Sequence, residues 1–234
     1  MERSLSAVPR PVIFVLVLAL SAHLVVMAMS RVQRAGTEDL PAAPHTQSLR
    51  VAGLGDPVPI AKLLMLYVQA FDLRATNPIP FQALDYDKLI AWLRVTLALD
   101  PAGQYPLFAA SRIYAVVPDE SRSRKMLEFI YTEFFKDPNR RWPWLAEAAV
   151  IAKHQLHDLP LAQRYAAAVQ EKTTSPDIPL WAKQMNAFIL EDMNELEQAR
   201  IMIGGFIASG QVKEPGELRL LEQRLRDIEA KAKK

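Results

Sequence analysis

From residue 59 onward, apolar side chains recur three and four positions apart, and Pro, Gly or Asp-Pro interrupts the run at intervals. Residues 59–71 open with Pro59 and place Leu63, Leu64, Tyr67 and Phe71 on one broad side, with Asn77-Pro78 beyond. Residues 85–99 carry a Leu89, Trp92, Leu93, Leu97 stripe that stops at Asp100-Pro101. Two further segments, 105–117 and 121–135, combine small Ala109, Ala110 and Ala115 with bulky Phe108, Ile113, Leu127, Ile130 and Phe134, and Asp137-Pro138 ends them. Residues 141–203 read as four amphipathic helices in two pairs. Ile201 to Ile207 is interrupted by Gly204-Gly205, which would weaken a helix or let another backbone come near. A last helix opens at Glu214-Pro215 with a Leu218, Leu221, Leu225, Ile228 seam. The pattern predicts an all-α fold.

The segments also repeat. Trp144 and Trp181 each lead the first helix of a pair and lie 37 residues apart, as do Ala162 and Ala199, and Pro101 and Pro138. Register points at Leu89, Met126, Ala162 and Ala199 are separated by 37, 36 and 37 residues. One helical pair leaves an apolar side uncovered and a second pair covers it, so this period predicts a helical-hairpin solenoid.

Leu89 and Met126 are followed twelve positions later by Pro101 and Pro138, and Ala162 by Thr174 with Pro176 nearby, while Trp144, Ala148 or Ala149, Ala162, Ala166 and Val169 fill the bulky and small roles. In these features residues 58–210 resemble the tetratricopeptide-repeat family, with longer units and with Leu89 and Met126 in place of small residues. That resemblance implies a protein-binding surface lined by first helices. Phe108, Arg112, Trp144, Glu147, Ile151, His154, Trp181, Gln184, Phe188 and Glu191 are the candidate lining residues, and Arg140 and Arg141 join them beside the Trp142-Pro143-Trp144 run. The alternative for the Trp pair is burial against a neighbouring hairpin.

Residues 12–29 carry no Asp, Glu, Lys or Arg. At about 1.5 Å per residue they would extend about 27 Å, close to a bilayer core. The reading is a single transmembrane signal anchor, with a cleaved signal peptide as alternative. Arg3 and Arg10 before it balance Arg31 and Arg34 after it, so charge leaves its orientation open. His23 within the run needs only a neighbouring helix. The expected organisation is a tail and anchor over 1–30, a flexible linker over 31–57, repeats over 58–210 and a capping or docking helix over 211–234.

Composition changes this picture little. There are 8 Gly and 17 Pro, which suits punctuated helices, and the net charge of +2 gives no pull toward nucleic acid. With no Cys, disulfides and thiolate metal sites are excluded. The GxG of Gly53 and Gly55 lacks the rest of a phosphate loop.

The chemical motifs are thin. His154, His157 and Asp158 lack a metalloprotease spacing, and Asp158 stands where it caps the next helix. Glu191 and Glu195 are spaced to share a helix face with Asp192 and Glu197 nearby, but no feature singles one out as an acid. No cofactor or metal is expected. The sequence points to a non-enzymatic, membrane-anchored interaction scaffold or assembly subunit of the bacterial inner membrane. Its soluble domain would face the periplasm, with membrane or periplasmic proteins and the bilayer as partners. The alternatives are an accessory subunit of a larger membrane enzyme or transport complex, and a helical periplasmic enzyme.

Overall fold

The computed structural model describes residues 9–32, 40–70 and 83–232, and in the first helix the side chains of residues 11–25. Among these there are eleven α-helices and no strand. The chain divides into two compact units, residues 1–39 and 40–234. The Asn77-Pro78-Ile79-Pro80 loop, Phe71 and the 33–39 part of the expected linker lie outside the described residues.

In the first unit, the apolar run forms α1 (Arg10–Val32). Among the described residues, however, no helix is long and apolar enough to cross a membrane. This corrects the expected transmembrane signal anchor and the bilayer partner at residues 12–29. The inner-membrane and periplasmic placement, and the membrane-anchored function, rested on that anchor and fall with it.

The second unit stacks helices in antiparallel pairs. The first pair is α3 (Val58–Ala70) with α4 (Tyr86–Leu99). The second is α5 (Tyr105–Ala109), continued by a π turn (Ala110–Tyr114), with α6 (Glu120–Phe134). The third is α7 (Pro138–His154) with α8 (Leu159–Lys172), and the fourth is α9 (Leu180–Asp192) with α10 (Leu196–Ala208). The amphipathic α11 (Pro215–Ala232) closes the end, burying Leu221 and Ile228. Leu89, Met126, Ala162 and Ala199 are all fully buried, so the register residues mark the inward stripe of every second helix.

Aspartates open three of these second helices. Asp85, Asp119 and Asp158 accept from the backbone N–H groups of Asp87 and Lys88, of Arg122, and of Leu161, satisfying donors a helix start leaves free.

Polar bonds between neighbouring hairpins carry the same period. Lys125–Asp87, Arg164–Glu128 and Gln155 to the Val117 carbonyl have partners 38, 36 and 38 residues apart. Each joins positions of successive units within two residues of equivalence.

Two parts differ from the pattern. In α3 the buried residues are Ala61, Met65 and Val68, while Leu63 and Tyr67 stay exposed, so the inward stripe is rotated from the bulkiest side. Residues 40–57, which have no helical period, include α2 (Thr46–Ala52) and dock on α4. Leu40 is fully buried, Trp92 Nε1 donates to the Pro41 carbonyl at 2.8 Å, and Arg50 donates to the Ala98 carbonyl at 3.1 Å.

Candidate functional site

Residues two apart on a helix point about 200° apart. In the first turns of α7 this sends Trp144 back toward α5 and Trp142 forward toward α9, with Pro143 between them. Trp144 meets Phe108 edge-on at 5.8 Å between ring centroids, and its Nε1 donates to Gln104 Oε1 at 2.6 Å. Trp142 meets Trp181 edge-on at 5.5 Å. Tyr105 stacks on Phe108 at 5.9 Å. The rings thus cross three successive first helices.

The run packs between hairpins and is also partly open to solvent. Trp181 is 52% exposed, Tyr105 45% and Phe108 38%. Around Trp142, Pro143, Trp144 and Trp181 lies a cleft of about 200 Å³ that Met185 and Val150 also line. Arg112, carried by the π turn, reaches the cleft and pairs with Glu147 at 3.0 Å. The mouth therefore presents one cation and one carboxylate.

The sequence-named residues divide into three groups. Phe108, Arg112, Trp144, Glu147 and Trp181 come together at or beside this cleft. Arg140 and His154 are exposed on α7, Arg140 paired with Asp137 at 3.0 Å. Arg141, Ile151 and Gln184 are buried, while Phe188 and Glu191 are held by the closing helix. Arg224 lies over the Phe188 ring at 4.3 Å and bonds Glu191 at 2.8 Å, and Lys231 bonds the other Glu191 oxygen at 2.9 Å. Trp142, Pro143, Val150 and Met185 were missing from the sequence list. The two-residue Trp spacing was the available signal.

The acidic and histidine motifs do not gather. Glu191 sits under α11, Asp192 pairs with Lys153, and Glu197 pairs with Arg200, which holds its carboxyl below the usual range. Among the described residues no three His, Asp or Glu side chains form a ligand set. Asp158 caps α8 and bonds Arg124 at 2.6 Å, and the Leu161 N–H and then Arg124 hold its carboxyl below its ordinary value.

Gly204 and Gly205 lie inside α10, and among the described residues a Cβ at either would meet nothing within 4 Å, so no described backbone comes close there.

The Asp158 cap has a testable consequence. Asp158→Ala should lower stability by about 1–2 kcal/mol at neutral pH. The folded-state value is depressed, so this contribution is complete above the ordinary carboxylate range and is lost as pH falls through the folded value. Urea unfolding should show the full gap at pH 7 and a markedly smaller one near pH 3. An equal gap at both would remove the charge from the explanation.

In comparison with known families, curated proteins and solved structures, the chain matches none. The tetratricopeptide assignment is corrected accordingly. What stands is an all-α stack of repeat-like helical hairpins.

Proposed function

We propose that this stack is a binding domain, without chemistry of its own, that takes a short extended segment of another protein across α5, α7 and α9. The observation that carries the reading is the run of exposed rings, Tyr105, Phe108 and Trp181, joined through Trp142 and Trp144. Tyr and Trp supply large contact area at low rotamer entropy, and such residues dominate binding energy at interfaces. A cleft of about 200 Å³ is smaller than the roughly 300–1,000 Å³ typical of sites for whole small molecules, and it suits one inserted side chain. Arg112 and Glu147 neutralise each other, which favours an uncharged apolar side chain, with the pair left to bond the peptide backbone.

Asp158 and Glu197 are placed as cap and ion-pair partners rather than as general acids. A general acid working near neutrality needs its pKa raised, whereas Asp158 and Glu197 are both held low by hydrogen-bonded partners.

The four Trp allow a direct test. In titrations with acetylated, amidated Gly-Ser peptides bearing one Leu, Phe or Pro, the indole N–H resonances of Trp142, Trp144 and Trp181 should shift. Trp92, buried against Pro41, should not. Trp181→Ala should weaken binding about 30-fold, the equivalent of ~2 kcal/mol, with thermal stability unchanged. Peptides that shift none of the three, or that bind the variant equally well, would refute the proposal.

A further inference from the structure

A second cavity lies on the N-terminal side of the same aromatic run. It has a volume of about 440 Å³ and lies between α3, the end of α4 and the start of α5, with Met65, Leu66, Gln69 and Tyr105 in its wall. Its lining is mostly apolar, and Lys62 and Asp100 stand in it with opposite charge. Tyr105 belongs to both places. Its hydroxyl accepts from Gln69 Nε2, and its ring stacks on Phe108, which touches Trp144. An aromatic bridge therefore connects the two hollows along one face.

From this continuity we infer that the domain reads two apolar anchors of a single extended peptide, one in each hollow, about five residues apart. The inference rests on the peptide-binding proposal above. Packed helices lie about 8–10 Å apart, and the linings place the hollows one and a half to two helix spacings apart, so their separation is about 12–20 Å. An extended chain covers about 3.3 Å per residue, which gives a spacing of about four to six residues, centred on five. Charge complementarity points to the same partner. Each hollow carries one cation and one carboxylate, Lys62 with Asp100 and Arg112 with Glu147, so neither selects a charged anchor. Tyr105 and Phe108 offer ring faces to the intervening backbone.

Methionines in the two walls, Met65 and Met185, report on the hollows separately. The full chain, carrying ¹³C-methyl methionine, is titrated with Gly-Ser peptides bearing two Leu separated by two, five or eight positions, and with a one-Leu peptide. The five-spaced peptide should move both methyl signals along one isotherm and bind at least about 30-fold more tightly than the one-Leu peptide, because the second contact is intramolecular. Leu66→Glu, a change at an exposed position, should abolish the Met65 response and reduce the five-spaced peptide to one-Leu affinity. The Met185 response should remain.

If Met185 responds but Met65 does not, or Leu66→Glu changes nothing, the two-anchor inference fails and the single-cleft proposal survives. If neither signal responds to any peptide, both fail. A Met65 response to decanoate that peptide does not displace would assign the cavity to a small amphiphile and overturn the inference. A Met65 shift that follows protein concentration alone would assign it to a second copy, with the same consequence.

Discussion

Arg141→Ala should destabilise the protein by about 3–5 kcal/mol, the usual loss when one member of a buried ion pair is removed. Arg141 is 3% exposed and Glu133 1%. Arg141 Nη1 donates to the Glu133 carbonyl at 2.7 Å and to Glu133 Oε2 at 2.9 Å, and Nη2 donates to the Pro101 carbonyl at 3.2 Å. One guanidinium thus ties α7 to the end of α6 and to the break after α4, crossing two repeat joints. Truncation leaves the Glu133 carboxylate with the largely exposed Lys136, at 2.7 Å, and takes the guanidinium donor from the Pro101 carbonyl, while the Glu133 carbonyl keeps the Lys136 N–H at 3.2 Å. Neighbouring Arg140→Ala should change stability by less than about 0.5 kcal/mol, since its pair with Asp137 is on the surface. Urea denaturation measures both. The double change Arg141→Met, Glu133→Leu should recover much of the loss by removing both charges. A loss below 1 kcal/mol for Arg141→Ala would show that the pair contributes little beyond what its packing supplies.

Ending the chain after Glu214 should unfold α10 and loosen α9 while α4 to α8 remain protected. Ala187, Leu190, Ala199, Ile203, Val212, Leu221 and Ile228 form an apolar cluster separate from the larger one that runs from α3 to α9. Without α11 this small cluster loses two fully buried side chains, each worth about 1.5–3 kcal/mol. It also loses the Gln184–Glu217 bond and both cations on Glu191. In a linear stack each unit is held by its neighbours, so damage at the end should stay near the end. Amide exchange should show protection lost over residues 196–208, reduced over 180–192 and retained over 86–172. Uniform loss would mean that the two clusters fold as one.

Much of the helical layout was legible from periodicity. The breaks at Asp100-Pro101 and Asp137-Pro138 fall where α4 and α6 end, and the four register residues are all fully buried. Adjacent positions on a helix differ by 100°, so a pattern locates a stripe better than it fixes its edges. In α3 that margin put Leu63 and Tyr67 outside and Ala61, Met65 and Val68 inside. In the candidate site, Trp144 and Trp181 were visible as repeat-leading rings. Met185's place beside Trp142 and Trp144 and the whole N-terminal cavity were not, since they come together only through the way successive hairpins stack.

By itself, then, the sequence determined the helices, their breaks and their period, because local hydrogen bonding and burial of an apolar stripe are encoded within a few residues. The tertiary structure decided the rest: that Arg141 is buried while Arg140 is exposed, and that rings of α7 and α9 meet around a cleft with Phe108 of α5 against Trp144. It also showed that residues 40–57 rest on α4, and that no described helix is long and apolar enough to cross a membrane. The aromatic, buried ion-pair and α4 contacts join residues about one repeat or more apart, or depend on the phase of one helix against another. Composition and spacing leave both of those open.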